Sequence, residues 1–407
     1  MGPATPLDLE EFFFEADRTI ARQEIGNYGA PVIELAKALV RSGNSVSIVT
    51  HRRGYGALTL DGPNLHFHRV PSERSRRQQV LSQWKAERRA MVRAALGLSP
   101  DVVHAHWTYE WALAAQATAL PIVITVHDAP LTVLRYHRDI YRLIRLVMAA
   151  RVRVGRGQHW LTAVSPYVAE RWRRQMRDIG PVVVIPNITS DPIRSTSKSR
   201  CPTVIEIADD GPRKNVVGLL HVFKLVRESV PTARLVLVGP GLSEDGALAE
   251  DARVRGLSVG VQFLGVLSRE AALDFLARSW VHAHLSHEES FGMTLLESLA
   301  LNTAVIAGVN SGAAGWVLSS GRAGWLVDVN DTDSCADSIV NALISTEDRL
   351  VMVREGRNRF DEVFVPKLVV ENYLDVYQQV IQSASNGRSW LDRFRVSRRK
   401  LTKRVKC

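Results

Sequence analysis

The sequence predicts an α/β protein made of two doubly wound domains, each a parallel sheet with helices on both faces. Three observations carry this. Short apolar runs rich in β-branched residues alternate with helical patterns, as parallel βαβ units require. The series runs twice, with Pro186-Asn187 and a polar linker at 195–200 between the two runs. At 407 residues the chain is long for one core and natural for two of about 100–200 residues each.

In the first series, strand-like runs at 45–50, 102–105, 122–126 and 161–164 interleave with helical patterns at 32–40, 80–96 and 133–150. The second has strands at 203–207, 234–238, 261–264, 281–286 and 304–307. The start of the chain leaves two readings open. Residues 12–16 can be a strand, or Leu9, Phe12, Phe13, Ala16 and Ile20 after Thr5-Pro6 can be the apolar face of a capped helix. Ligands of such sheets bind at the carboxyl ends of the strands, and two such edges facing each other form a cleft.

Composition sets further bounds. Hydrophobic residues make up 46% and charged ones 23%, which is globular. Cys201, Cys335 and Cys407 are odd in number and far apart, which points to a reducing compartment and no disulfide framework. No Cys/His cluster has zinc spacing, so no metal is expected. Apolar runs fall short of the roughly 20 residues needed to span a bilayer, and the acidic, aromatic start lacks signal-peptide character. The expected location is cytoplasmic, either free or peripheral on the inner face of the cytoplasmic membrane.

The formal net charge of +10 is unevenly spread. It runs to about +9 for residues 1–197, about −7 for 198–387 and about +8 for the tail. Arg135, Arg138, Arg142, Arg145, Arg151 and Arg153 accompany Leu134, Ile140, Leu143, Ile144 and Val147 at helical spacing. That pattern suits an anionic membrane surface or a pyrophosphate-linked acceptor, and equally a solvated amphipathic helix. No zinc-finger, RNP or helix-turn-helix pattern supports a nucleic-acid partner.

The chemistry concentrates at 280–301. Residues 280–285 alternate like a buried strand, Gly292 marks a turn, and Leu295, Leu296, Leu299 and Leu301 recur with helical spacing. The unit reads as strand, loop, helix. A fresh helix start offers free N–H groups and a positive dipole end, so Ser290, Phe291, Gly292, Met293 and Thr294 form a natural diphosphate cradle. Glu289 falls in the loop and Glu297 about two turns into the helix. Carboxylates accept paired hydrogen bonds from vicinal hydroxyls, so one could read a hexose and the other a ribose. The plain alternative is a capping Glu289 and a solvated Glu297.

Ser286-His287-Glu288-Glu289-Ser290-Phe291-Gly292 with Glu297 eight residues beyond Glu289, then an apolar run at 304–307 and glycines at 308 and 312, resembles the retaining nucleotide-sugar glycosyltransferases of family 4. The resemblance extends from about residue 26 to 377. It implies the glycosyltransferase B arrangement: two Rossmann-like domains facing across a cleft, over residues 1–197 and 198–364. A last helix at 365–385 would return to the first domain, ahead of a basic tail at 386–407. It also implies roles. His127, in Thr125-Val126-His127, lies beside the transferred sugar, and Glu289 positions that sugar. Gly26 belongs to the first glycine turn near the donor phosphates. Lys214, joined by Arg213, clamps the diphosphate, although Asp209 stands where the family has arginine. His104 and His106 match a family strand end, as acceptor-pocket or structural residues.

The implied activity is transfer of a hexose-type sugar, with retention and without metal or other cofactor, from a nucleotide-diphosphate sugar. The acceptor would be a glycan, a lipid-linked intermediate or a polysaccharide precursor, since the motif is similar to bacterial exopolysaccharide transferases. The alternative, raised by Asp209 and the unusual start, is a non-catalytic nucleotide-sugar-binding partner of a glycan-assembly complex.

Overall fold

The computed structural model describes residues 1–24, 29–155, 159–189 and 197–385. Gly26 and the basic tail lie outside these. The chain divides into two compact units: Met1–Ile185 together with the chain from Val369, and Pro186–Leu368.

The first unit holds two sheets. In one, β1 (Val46–His51), β2 (Leu58–Asp61) and β3 (Leu65–Val70) are ordered β1-β3-β2, with β3 parallel to β1 and antiparallel to β2. In the other, β4 (Val103–His106), β5 (Ile122–Val126), β6 (Trp160–Ala163) and β7 (Val182–Val184) run parallel in sequence order. β5 is buried at all five positions, which is why Ile-Val-Ile-Thr-Val reads as a continuous apolar run rather than an alternation. The backbone of Met1 and Gly2 bonds to both sheets: Gly2 N donates to Val49 O at 3.3 Å, and His106 N donates to Met1 O at 2.9 Å.

Several sequence expectations need correction. Residues 12–16 are not a strand. The start folds as a 3-10 turn, Leu7–Phe12, and a helix, Glu15–Arg22, and Leu9 and Phe13 bury against Leu60 and Phe67. The pattern at 80–96 is two helices, Arg76–Ser82 and Lys85–Leu98, broken where Gln83 and Trp84 turn left-handed and bury the Trp84 indole edge-on to Tyr141. The pattern at 133–150 also splits, into Pro130–Tyr136 and Ile140–Val154, because Asp139 accepts from Arg142 N and caps a new start. The β2–β3 hairpin went unread. Its partly exposed His66 and His68, and a buried Arg69 paired with Glu24, dilute the apolar signal of Leu65 and Phe67.

The second unit is one six-stranded parallel sheet: β8 (Thr203–Ile207), β9 (Arg234–Val238), β10 (Val261–Gly265), β11 (Val281–His284), β12 (Ala304–Gly308) and β13 (Trp325–Val327), ordered β10-β9-β8-β11-β12-β13. Alternate residues face opposite layers. Val204 joins a core with Leu219, Phe223 and Ile339, and its neighbour Ile205 joins another with Val236, Leu276 and Leu301. The strand order reverses between β8 and β11, the switch point at whose carboxyl ends such sheets form their binding crevice, and the loops leaving these two strands lie side by side there.

The Pro366–Ser385 helix belongs, from Val369, to the first unit. There Tyr377 Oη sits 2.7 Å from His104 Nδ1 and Tyr373 Oη 3.3 Å from Thr125 Oγ1. Among the described residues no helix is long and apolar enough to cross a membrane.

Candidate active site

The crevice at the β8/β11 switch point gathers most of the residues singled out from the sequence. Lys214 and Arg213 lie in the loop after β8, and Glu288 and Glu289 in the loop after β11. The backbone ties the two loops together, His287 N donating to Arg213 O at 2.9 Å, and Asn215 Nδ2 donates to Leu285 O at 3.0 Å. On the other side Ala313 N donates to Glu289 O at 2.8 Å, and Ser311 Oγ donates to Ser286 O. A loop held from both sides presents its carboxylates without first having to order.

Lys214 Nζ donates to Glu289 Oε2 at 2.6 Å and Arg213 Nη1 to Glu288 Oε2 at 3.1 Å. Burial opposes charge on Glu289, but the Lys214 ammonium, His284 and Arg213 outweigh it and hold its carboxyl well below the usual range. Glu289 is therefore an acceptor-only anion at neutral pH. Asp209, the reversed position, accepts from Gly211 N at 2.8 Å and shapes the turn that leads to Lys214.

Gly292 opens the Met293–Ala300 helix with φ of 88°, and a Cβ there would lie 2.7 Å from Leu295 Cδ1. Only glycine combines that backbone with that space. No side chain caps the helix, which leaves its first N–H groups available to a ligand. Met293 and Thr294 are half-buried at its edge and Ser290 is buried. Phe291 packs against Trp316 and Phe364 with centroids 6.2 and 6.0 Å away, so its ring anchors the loop from beneath. Glu297 is one turn into the helix rather than two, because the helix begins only at Met293. Its carboxylate pairs with Arg269 Nη1 at 2.8 Å, and it is not a solvated charge.

Sequence reasoning missed what lies under Glu289. Glu206 on β8 and His282 and His284 on β11 are buried. His284 Nδ1 lies 3.0 Å from Glu206 Oε1, and its Nε2 lies 3.1 Å from Glu289 Oε2. His282 Nδ1 lies 2.8 Å from Ser298 Oγ. Burial works against both charges, yet the pair offsets it, Glu206 falling to about 2 and His284 rising to about 9. Ligand-type atoms of the three residues lie within 4.8 Å of one another, which is metal-ligand proximity. Both His284 nitrogens, however, face partners of their own, as does His282 Nδ1, so the trio reads as an ion pair with hydrogen bonds rather than a metal centre. The available signal was two histidines and a glutamate inside runs otherwise apolar.

In the first unit, His127 follows β5 and is buried. Its Nε2 lies 2.9 Å from His106 Nδ1 and its ring stacks on Trp107 at 4.1 Å. Burial pulls it down to about 3, so it is neutral. His104, between Tyr377 and Thr125, is structural.

These shifts give the stability a pH window. His284, raised from 6.5, contributes fully below 6.5, and that contribution is lost as pH rises through about 9. His127, lowered from 6.5, favours the unfolded chain as pH falls from 6.5 toward 3. The urea unfolding midpoint is expected to be highest near neutrality and to drop on both sides. A midpoint that is level up to pH 10 would contradict the His284 assignment.

Comparison with known proteins gives the family. Residues 188–359 match the glycosyl transferases group 1 family and residues 31–190 match Glycosyltransferase Family 4. The chain is 25% identical over 382 residues to N-acetyl-alpha-D-glucosaminyl L-malate synthase of Bacillus anthracis, covering 89% of this chain and 97% of that protein. It is 29% identical over 274 residues to the phosphatidyl-myo-inositol mannosyltransferase of Mycolicibacterium smegmatis, covering 64% and 66%. In fold it is similar to the sucrose-phosphate synthase of Thermosynechococcus elongatus, with a TM-score of 0.74, 18% identity and coverage of 86% of this chain and 93% of that one. The two family matches overlap at 188–190 and together span both α/β units, whose fold class is that of the glycosyltransferase B enzymes. The chain is a glycosyltransferase and belongs to the group 1, family 4-like glycosyltransferases.

Proposed function

We propose that the protein moves a hexose-type sugar from a nucleotide-diphosphate sugar to a glycan, lipid-linked or polysaccharide-precursor acceptor, with retention of configuration and without a metal. The observation that carries this is the Lys214–Glu289 pair at the mouth of the β8/β11 crevice, beside an uncapped helix start. Departure of the diphosphate develops negative charge. Lys214, Arg213 and the N–H groups at Met293 and Thr294 answer it with fixed positive potential. Glu289 then accepts from the sugar hydroxyls, and Glu297, oriented by Arg269, from the ribose. His127, neutral and stacked on Trp107, orients sugar or acceptor. Retention follows from front-face attack, in which the leaving phosphate takes the acceptor's proton, so no carboxylate nucleophile is needed.

An acceptor held at an anionic membrane surface is supported by the Ile140–Val154 helix. Ile140, Leu143, Val147 and Val154 stand exposed along it, beside Arg142. Its Arg145 is turned inward instead, onto Glu110 and the Tyr109 ring. The second reading, a binding partner without turnover, rests on Asp209.

A panel of nucleoside diphosphates and nucleotide sugars, with and without chelator, tests the proposal by thermal shift. Ligand at a hundred times its Kd stabilises by about 2.7 kcal/mol, which the midpoint reports. A selective, chelator-insensitive shift is expected, and Lys214→Met should abolish it. No shift with any donor would overturn the donor site. A shift without turnover would select the binding-partner reading.

A further inference from the structure

Four charges alternate in a line through the second unit: Glu206, His284, Glu289 and Lys214. His284 is enclosed, with Glu206 Oε1 at 3.0 Å from Nδ1, and Glu289 Oε2 and Ser286 Oγ each at 3.1 Å from Nε2. A neutral imidazole has one N–H, which would leave a ring lone pair against an anionic oxygen. With two N–H groups each carboxylate receives one. The other titratable and charged groups facing His284 are few. His282, on the same strand with ring centroids 5.4 Å apart, is held neutral by burial, and Lys214 reaches the far side of Glu289. Arg213 contributes to Glu289 at longer range and is itself engaged with Glu288.

The geometry at Glu289 is one-sided. Both His284 and Lys214 bond to Oε2, and among the described residues Oε1 takes no hydrogen bond. Lys214 has two claims on it. In the proposed reaction it must meet the donor diphosphate, and in this structure it is spent on Glu289.

We propose that His284, carrying its proton, is the positioning residue for Glu289: it pins Oε2 from beneath, leaves Oε1 to the sugar, and holds the carboxylate in place when the diphosphate draws Lys214 away. Glu206 is the counter-ion that keeps the proton on His284. Lys214 is then free to exchange partners without stranding a buried anion, because the imidazolium remains. This rests on the reading that Lys214 meets the diphosphate and Glu289 the sugar.

The test uses the full chain labelled with 15N in its histidine rings. At pH 7.5 both His284 nitrogens are expected to be protonated, with and without inorganic pyrophosphate as the probe that recruits Lys214. The proton should leave near pH 9, and the kcat profile for sugar transfer should fall in the same range. Glu206→Gln, nearly isosteric, should move both the ring titration and the basic limb of kcat to lower pH by a unit or more. A role in folding alone would not shift that limb. A neutral His284 ring at pH 7.5, or a basic limb unmoved in Glu206→Gln, overturns the proposal. If no nucleotide sugar is turned over, the functional reading fails and the positioning role falls with it. The ring nitrogens would still show whether the buried imidazolium exists, so the two failures are separable.

Discussion

Glu289→Gln is expected to lower sugar transfer by roughly a hundredfold or more, the scale on which a misplaced reacting group costs rate. Nucleoside diphosphate affinity should stay within a fewfold. The amide keeps the shape of the side chain and removes the charge on which Lys214 Nζ and His284 Nε2 converge. Its NH2 would meet one of those cations and either rotate away or displace it, so the oxygen left for the sugar is no longer fixed. Steady-state kinetics with the donor chosen by the binding panel would show the loss in kcat, with the nucleotide Kd measured separately. Unchanged kcat would remove Glu289 from the reaction. In the proposed reading the diphosphate meets Lys214, Arg213 and the Met293 helix start, none of which the substitution deletes, so a parallel loss of nucleotide affinity would instead indicate a disturbed loop.

The second large effect is on the scaffold. Gly239→Ala is expected to cost about 3 kcal/mol or more, from a left-handed strain of about 1–3 kcal/mol and an overpacking cost of similar size. Gly239 follows β9 with φ of 136°, and a Cβ there would lie 1.9 Å from the backbone oxygen of Ala208. No rotamer relieves a contact with backbone. Ala208 begins the loop that carries Lys214, so the displacement reaches the site as well as the core. Urea unfolding measures it, with Gly97→Ala as control. Gly97 lies in a helix with nothing near its Cβ direction, and alanine there should gain up to about 1 kcal/mol. A Gly239→Ala midpoint equal to wild type would show that the close approach to Ala208 has room to give.

The second unit was the more legible half of the fold. Its five runs at 203–207, 234–238, 261–264, 281–286 and 304–307 became β8 to β12 within two residues at each end, because short, mostly apolar runs bounded by turn residues mark strands, whether fully buried like β12 or partly exposed like the edge strand β10. The three-residue β7 and β13 are too short to carry a period, and the β2–β3 hairpin mixes outward histidines with its apolar face. In the first unit the long helical patterns were right in type and wrong in continuity. Periodicity reports which face is apolar, whereas the breaks at Gln83-Trp84 and Asp139 are set by where an indole finds room and where a carboxylate finds an N–H.

The candidate site divides along the same line. Glu289, Glu297, Gly292 and the helix start were readable because they lie within one local strand–loop–helix unit, whose geometry follows from neighbouring residues. Lys214 is 75 positions from Glu289, and spacing alone could not bring the two together. The pairing of β8 with β11 does so, by placing their loops side by side where the sheet order reverses. Glu206 and His284, 78 positions apart, meet for the same reason. The family and the local motif were thus determined by the sequence itself, since both rest on short-range pattern. Which oxygen of Glu289 is held, by which cations, and with what buried counter-ion was decided only by tertiary structure, because charge pairing depends on distances that the chain sets by folding.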